Sequence, residues 1–464
     1  MILNFTRILS LFLFIALLTV ACKYDDFDNI DNPAKIAEVK NFDAEVSLQW
    51  YDLYLQVSRF APGFNPPAAS RLLGYVGLAA YEAVIPGMPD YQSLSWKYTN
   101  LTLPQIEKDQ EYHWPTVLNY VYYHSFKKFY PHVEQVYVNK MESLDKRFMS
   151  AYGLKLPKAV LDRSAQRGIE VAEAIYAWSQ TDVLGHFAFK NPQPSDYTPP
   201  KGPGKWQPTP PDFGKAIMPY WGKVRPFVLD EQEILGDPIQ SWVGEYSESV
   251  NSKFYEQAFE VYSMLSPAVP NRQWIAEFWS DDILEQTFES SARWISIANQ
   301  VVRDQKSNLE TTVFLHAKLG MALCDAAIAV WNTKYTYNVE RPVSYIRRLI
   351  DLNWNTGLNN KVSGFNGISP SFPSYPSDHA GFGAAATGVF KSIFGNPMQL
   401  TDKSHESRIE FNGTPRSFKS FDEMATENAL SRMYLGVEYR MDIDEGMRLG
   451  NLVAEKINSL SWRK

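Results

Sequence analysis

The sequence predicts an all-α protein, and three observations lead to that class. Apolar residues recur three and four positions apart along most of the chain, which is the spacing of one buried helix face. Runs that alternate apolar and polar residues, as half-buried strands do, are scarce. Hydrophobic residues make up 45% of the 464 residues and aromatic residues 14%, which is a globular composition with enough material for one large or two fused domains.

The apolar spacing predicts helices at 46–60, 70–84, 114–129, 160–178, 283–302, 309–331, 377–394, 421–437 and 444–457. One region between them, residues 191–226, holds ten of the 29 prolines and cannot be helical, because proline lacks the N–H donor and blocks the preceding turn. It is either a disordered linker or an ordered extended loop. Four aromatic side chains favour the ordered loop, since they can anchor it: Trp206, Phe213, Trp221 and Phe227.

The N-terminus has the pattern of a targeting segment. Arg7 precedes an apolar run at 8–20 that is too short to anchor stably in a bilayer, and the run ends at Thr19-Val20-Ala21-Cys22. This is either an ordinary secretory signal with a chance cysteine or a bacterial lipobox. We favour the lipobox, in which a signal peptide at 1–21 is removed and Cys22 is lipidated. Residues 22–42 would then form an acidic, polar tether, with the protein on the outer membrane or cell surface, facing the periplasm or the exterior.

Several other functions lack support in the sequence. The formal net charge of −7 provides no basic surface for nucleic acid. The seven histidines are scattered, and no cysteine pair or His-Glu-x-x-His motif predicts a zinc site. His316 and Cys324 lie in an apolar helical run and are expected in the core, whereas His186 and His405 are expected in loops.

Three segments near the C-terminus contain the candidate chemistry: KYTYNVERP at 334–342, YPSDHA at 375–380 and SRMYLGVEYRMD at 431–442. Together they supply one lysine, two arginines, a histidine and a serine suited to capping a helix. Pro376 ends any earlier helix, and Ser377 is a good N-cap for the next one. Free N–H groups at a helix start attract anions, and Arg and Lys bind them by charge. The set therefore suits a tetrahedral oxyanion.

These segments resemble the signature of the type 2 phosphatidic acid phosphatase and vanadium-dependent haloperoxidase superfamily. That signature reads Lys-x6-Arg-Pro, Pro-Ser-x-His and Ser-Arg-x3-Gly-x-His-x3-Asp. From about Trp50 onward, including the Pro-rich loop and WIAEFWSDD, the chain also resembles bacterial haloperoxidase-like proteins. The resemblance implies two stacked helical bundles: an N-terminal region at 43–304 and a C-terminal domain at 305–464 that contains the site.

The resemblance also implies roles for individual residues. His379 would be the general acid–base that protonates a leaving oxygen. The family usually has Gly where Asp378 stands, and a carboxylate there suits an anion site only if it points away. We expect Lys334 to follow a helix that ends near Trp331. The residues expected around a bound phosphate- or vanadate-like oxyanion are Lys334, Arg341, Ser377, Asp378 and Arg432.

Glu438 is the departure from the signature, because the family has there a histidine that bonds covalently to phosphorus or vanadium. Asp442 would normally orient that histidine. We expect Glu438 and Asp442 to lie one helical turn apart, where two charged carboxylates repel mildly. A unit charge pair at 4 Å is worth roughly 4 kcal/mol at a dielectric near 20, so an ionised Glu438 would repel an oxyanion and attract the three cations.

Four hypotheses follow for the candidate catalytic residues His379, Glu438 and Asp442. First, Glu438 takes the place of the anion, and the phosphatase- or haloperoxidase-like activity is altered or lost. Second, the chain is a phosphomonoesterase with Glu438 as nucleophile or base and His379 as acid. Third, Asp378 joins these residues in a metal site, against which the three cations argue. Fourth, the chain is a surface interaction protein that uses its aromatic N-terminal bundle and Pro-rich loop.

Overall fold

The computed structural model describes residues 36–265, 270–283, 285–396 and 398–464. Residues 37–106 and 112–464 form one compact unit, whereas residues 107–111 do not belong to it and contain a short turn. The predicted signal peptide, Cys22 and most of the predicted tether lie outside the described residues. The division of the mature chain at 304/305 stays a prediction.

The compact unit is mostly helical, as predicted, and its remaining residues are almost all in loops and turns. In chain order they are α1 (Glu45–Ser58), α2 (Pro66–Val84), α3 (Trp114–Phe129), α4 (Gln135–Gly153), α5 (Lys158–Gln180), α6 (Val183–Phe187), α7 (Gln240–Val243), α8 (Lys253–Met264), α9 (Pro270–Phe278), α10 (Ala292–Asp304), α11 (Leu309–Tyr337), α12 (Pro342–Leu349), α13 (Asp378–Phe394), α14 (Phe421–Tyr434) and α15 (Arg440–Asn458). Short 3-10 turns lie at Val39–Asn41, Ile85–Gly87, Ser95–Lys97, Ala188–Lys190 and Trp221–Lys223. Two short antiparallel strands, β1 (Leu400–Asp402) and β2 (Arg416–Phe418), pair with Leu400 opposite Phe418.

The central helix α11 packs closely against α2. A Cβ atom added at Gly77 would lie 2.8 Å from the carbonyl oxygen of His316, and one at Gly320 would lie 2.3 Å from that of Leu73. Both positions therefore require glycine because the two backbones nearly touch. By length and composition alone α11 could cross a membrane, but its apolar stretch is wholly buried inside the protein, as in a core helix.

Helices α13 and α15 cross with equally close backbones. A Cβ at Gly446 would lie 2.4 Å from the carbonyl oxygen of Ser377, and one at Gly450 would lie 2.2 Å from that of Gly381. The N–H of Ser377 also donates to the carbonyl oxygen of Asp442 at 2.8 Å. This crossing brings the start of α13 against the start of α15, which are the second and third signature segments.

The Pro-rich region is an ordered loop, as predicted. Trp206, Trp221 and Phe227 are buried, and the N–H of Trp206 donates to the carbonyl oxygen of Asn338 at 2.7 Å. The prediction was wrong for Phe213, which is 61% exposed and does not anchor the loop. The carboxylate of Asp325 on α11 accepts backbone N–H groups from Phe227, Val228 and Leu229 and so fixes the end of the loop.

Some element boundaries differ from the prediction. The helix expected to begin at 283 begins at Ala292, and Asp281 before it has a left-handed backbone with φ of 30°. His186 lies in the short helix α6 rather than in a loop, and its side chain is buried. His316 and Cys324 are core residues as expected, with His316 stacked on Tyr51 at 4.0 Å between ring centroids.

Candidate oxyanion site

Lys334 lies on the last turn of α11, with its side chain fully buried. The prediction that the helix ends near Trp331 was wrong, because α11 continues until Asn338 adopts the left-handed conformation at φ of 51°. The Nζ atom donates to the carbonyl oxygens of Pro373 at 3.1 Å and Ser374 at 2.9 Å. These bonds direct the ammonium group toward the segment before α13.

Arg341 has the extended backbone expected of a residue before proline, with φ of −73° and ψ of 151°. Its Nε donates to the carbonyl oxygen of Phe372 at 2.8 Å, and its Nη1 donates to that of Val437 at 2.9 Å. The guanidinium is fully buried, and its Nη2 has no hydrogen-bond partner among the described residues. That nitrogen is therefore available to an acceptor.

The start of α13 is capped by Ser377, as predicted, because its hydroxyl oxygen accepts from the N–H of Ala380 at 3.2 Å. Asp378 does not point away from the cations. Its Oδ1 lies 3.9 Å from Lys334 Nζ, and its Oδ2 lies 3.4 Å from His379 Nδ1. His379 Nε2 donates to the carbonyl oxygen of Ser280 at 3.3 Å. The carboxylate of Asp378 is therefore part of the charged cluster.

Arg432 is buried on α14, and its Nη1 forms an ion pair with Asp282 Oδ2 at 2.8 Å. Asp282 is not among the site residues predicted from the sequence, although it belongs to the WIAEFWSDD segment. The sequence signal that could have identified Asp282 is the pair of adjacent aspartates after an apolar run rich in aromatic residues. The neighbouring Asp281 turns the other way and forms an ion pair with buried Arg293 at 2.8 Å. The two aspartates thus hold two different arginines.

Glu438 and Asp442 do not share a helix, so the expectation of one helical turn between them was wrong. Helix α14 ends at Tyr434, Gly436 follows with φ of 75°, and α15 begins at Arg440. Glu438 lies in the intervening turn, fully buried, with Oε1 3.5 Å from Arg341 Nη1. Neither carboxylate oxygen of Glu438 accepts a hydrogen bond from a described residue.

Asp442 is held at the start of α15. Its Oδ2 accepts from the Ser374 hydroxyl and from the N–H of Tyr439, the latter at 2.8 Å. Its Oδ1 has no partner among the described residues. Burial, reinforced by the negative charge of Glu438, raises the pKa of the Asp442 carboxyl to about 7. Asp442 therefore carries a proton near neutral pH much more readily than an exposed aspartate.

The other titratable groups of the cluster respond to burial and to one another. Burial lowers the pKa of Lys334 to about 8, although Glu438 opposes the change. Burial and Arg432 work against a charged His379, but Asp282 and Asp378 outweigh them and raise its pKa above the usual value. Burial also raises the pKa of Asp282 even with Arg432 beside it. His379 therefore holds a proton more readily than an exposed histidine does.

A cavity of about 190 Å³ borders this cluster, with Asp282, Asp378 and Phe372 in its wall. Three further carboxylates line the same cavity, those of Asp212, Asp281 and Glu289, whereas no lysine, arginine or histidine does so among the described residues. Asp281 is already paired with Arg293, and burial raises the pKa of Glu289 to about 7, but an anion that approaches through this cavity still meets carboxyl groups rather than cations.

The residues proposed for a metal site do not form one in the part of the chain that the structure describes. No group of three or more His, Cys, Asp and Glu side chains there has a geometry that could hold a metal ion. Lys334, Arg341 and Arg432 occupy the space around the carboxylates instead. The arrangement is an internal cluster of opposite charges.

The sequence matches the VCPO second helical-bundle domain over residues 314–462. It is 23% identical to the vanadium chloroperoxidase of Curvularia inaequalis over 503 residues, which covers 88% of this chain and 80% of that protein. It is 26% identical to the vanadium-dependent bromoperoxidase of Ascophyllum nodosum over 137 residues, which covers 26% of this chain and 24% of that protein.

Solved structures agree with these sequence matches. A bacterial vanadium-dependent iodoperoxidase superposes with a TM-score of 0.78 at 28% identity, covering 92% of this chain and 99% of that one. A holo-type bacterial vanadium-dependent chloroperoxidase superposes with a TM-score of 0.64 at 15% identity, covering 85% and 92% of the two chains, and this second likeness concerns the fold.

The fold and the cluster at its centre define an all-α protein with helical bundles of the haloperoxidase type. All three signature segments contribute to one buried group of charges, whose members are Lys334, Arg341, Asp378, His379, Arg432, Glu438 and Asp442. The chain is similar to the vanadium haloperoxidases in its overall fold and in the sequence of its second helical-bundle domain.

Proposed function

We propose that this chain is an exported lipoprotein whose oxyanion site is modified, with Glu438 in the position that a bound anion would take. The observation that carries the proposal is the 3.5 Å approach of Glu438 Oε1 to Arg341 Nη1, with both side chains fully buried. An ion pair that is already made inside the protein competes with any ligand for the same guanidinium. Phosphatase- or haloperoxidase-like activity is accordingly altered or lost.

The charges around the site support this proposal. Lys334, Arg341 and Arg432 are matched by the carboxylates of Asp282, Asp378 and Glu438. Each unit charge near 4 Å contributes roughly 4 kcal/mol at a dielectric near 20, so a dianion gains attraction from the cations and loses a similar amount to the carboxylates. The net attraction for phosphate or vanadate is small.

The hydrogen-bond donors and acceptors of the site match a bound vanadate only in part. Arg341 Nη2 and Arg432 Nε have no partner among the described residues and suit an oxyanion as donors. The two oxygens of Glu438 are also without partners, and as acceptors they would face the acceptor oxygens of the ion. A carboxylate also cannot supply the nitrogen ligand that the signature histidine provides. The site as it stands does not fit a covalently held vanadate.

A direct test is calorimetric titration of phosphate and orthovanadate into the purified wild-type chain. We expect binding no tighter than the millimolar range. Micromolar binding of either ion would contradict the proposal, because it would mean that Glu438 does not occupy the anion's place. Binding of neither ion at any accessible concentration would agree with it, and also with a surface interaction role.

A phosphomonoesterase is the second candidate, and the raised pKa of His379 favours it because this chemistry needs a protonated imidazole as acid. The Glu438 carboxylate would attack phosphorus to form an acyl phosphate while the leaving alkoxide takes the proton of His379, and water would then hydrolyse the acyl phosphate. Hydrolysis of p-nitrophenyl phosphate that disappears in both Glu438→Gln and His379→Asn would establish this chemistry. Activity that survives Glu438→Gln would exclude the carboxylate as nucleophile.

A further inference from the structure

A second cavity of about 450 Å³ lies beside the charged cluster and shares a wall with it. Ser280 and Leu435 belong to that wall. The carbonyl oxygen of Ser280 accepts from His379, and the carbonyl oxygen of Leu435 accepts from the N–H of Gly357 at 2.7 Å. Leu435 also follows Arg432 by three residues. A single layer of residues therefore separates this cavity from the cluster.

The lining of the cavity combines a patch of buried apolar side chains with polar and charged groups. Ala276, Ile283, Leu358, Phe411 and Leu435 are buried and line it. Such a lining favours a ligand with an apolar body, and the volume is within the usual range for small-molecule sites.

Among the described residues, Arg272 is the charged group of the cavity lining that has no ion-pair partner. Its guanidinium lies 5.6 Å from the centre of the Tyr434 ring, and no described carboxylate pairs with it. Lys361, the other cation of the lining, is already 3.3 Å from Glu277 Oε1. Glu277 is the one carboxylate among the described lining residues, so its charge is compensated. Among the described lining residues, the uncompensated charge is therefore positive.

We propose that this cavity binds an organic anion with an aromatic or otherwise apolar body, whose acidic group pairs with Arg272. The ring of Tyr434 supports the guanidinium from one side and leaves its donors to the ligand. Gln286 offers a second contact, because its buried Oε1 has no partner among the described residues and can accept from a hydroxyl of the ligand. This site is separate from the proposed oxyanion function and does not depend on it.

The test uses 2-naphthoate as probe, with 2-naphthylmethanol as its neutral analogue and 2-naphthylmethylammonium as its cationic analogue. Each is titrated calorimetrically into the full chain without phosphate, vanadate or peroxide. We expect naphthoate to bind most tightly and the ammonium compound least. Arg272→Gln should weaken naphthoate about tenfold and leave the alcohol unchanged, because it removes one charge-assisted contact. Arg147→Gln, at an exposed arginine on α4, is the matched control and should change nothing.

A second variant fills the cavity without removing its charge. Gln273 is exposed at the edge of the cavity, so Gln273→Trp places a ring in the opening with little effect on folding, and it should weaken all three compounds. Thermal melts confirm that each variant is folded. Equal affinity for anion and cation, no effect of Arg272→Gln in a folded variant, or no binding of naphthoate would each overturn the proposal. Glu438→His should not alter naphthoate binding, which separates this proposal from the oxyanion site.

Discussion

Arg341 Nη1 lies 3.5 Å from Glu438 Oε1, and neither side chain is exposed to solvent. Removing two charges from water is costly, and their attraction compensates for this only when further hydrogen bonds satisfy both groups. Here Arg341 donates to two carbonyl oxygens, whereas both oxygens of Glu438 accept no hydrogen bond from described residues. The pair is therefore unevenly satisfied: among the described residues Arg341 lacks a partner only at Nη2, whereas Glu438 lacks one at both oxygens, at the position where we propose that it replaces the signature histidine.

The first prediction concerns that position. Glu438→His should bind orthovanadate and phosphate at least tenfold more tightly than the wild-type chain, because it removes a repulsion of several kcal/mol and each 1.4 kcal/mol is about tenfold in affinity. Glu438→Gln is the control, since it removes the charge without supplying a nitrogen ligand. Calorimetry should rank vanadate affinity as His above Gln above Glu. Tight binding to the wild type that is lost in Glu438→His would show instead that Glu438 is a functional ligand-binding residue.

The second prediction concerns the support of Arg432. Asp282→Asn should lower the free energy of unfolding by roughly 3 kcal/mol, because it leaves a buried guanidinium without its nearest carboxylate. Urea denaturation measures this change. As a control, Asp162→Asn breaks the surface ion pair with Lys158 and should leave stability unchanged. The side chain of Lys158 is 85% exposed and that of Asp162 is 62% exposed. An equally stable Asp282→Asn would mean that Glu438 and Asp378 hold Arg432 on their own.

The helical class and the Pro-rich loop could be predicted because they depend on local signals. Apolar spacing predicts the helix faces, and the position of Ser377 after Pro376 predicts that it caps the next helix. Helix ends were less predictable. Helix α11 continues past Lys334 and ends at the left-handed Asn338. The apolar spacing of the sequence does not mark this end.

Contacts within the cluster could not be predicted from spacing. Glu438 and Asp442 have the sequence separation of one helical turn. Because Gly436 has φ of 75° and α15 begins only at Arg440, Glu438 lies in a turn and Asp442 lies in a helix. Asp282 reaches Arg432 from 150 residues away in the chain. Such a pairing is set by how α9 and α14 pack, which a single sequence does not reveal.

The third prediction concerns export. We expect wild-type protein to fractionate with the membrane and Cys22→Ser to be released, because the lipid on Cys22 would be the anchor. Cys324→Ser is the matched control, since that thiol is buried on α11 and should not affect attachment. Mass spectrometry of the N-terminal peptide identifies the modification. A Cys22→Ser protein that stays in the membrane fraction would show that the tether is something else.

The last prediction follows from the protonation of Asp442. Its pKa is about 7 in the folded protein against an ordinary value of 3.8, so between these values the folded state retains a proton that the unfolded state has lost. The free energy of unfolding should therefore fall as the pH rises from about 4 to about 7, with the penalty absent below this window and complete above it. Asp442→Asn cannot titrate, and its amide oxygen can still accept from Ser374 and Tyr439. The stability of Asp442→Asn relative to wild type should rise across this window by roughly 2 to 4 kcal/mol.

Urea denaturation at several pH values measures the difference, with exposed Asp162→Asn as the control that should parallel the wild type. Other buried carboxyls, among them Glu289 with its pKa near 7, contribute the same slope to both proteins and cancel in the comparison. A difference that stays constant from pH 4 to pH 8 would mean that Asp442 is charged throughout, and that neither its burial nor Glu438 imposes a proton on it.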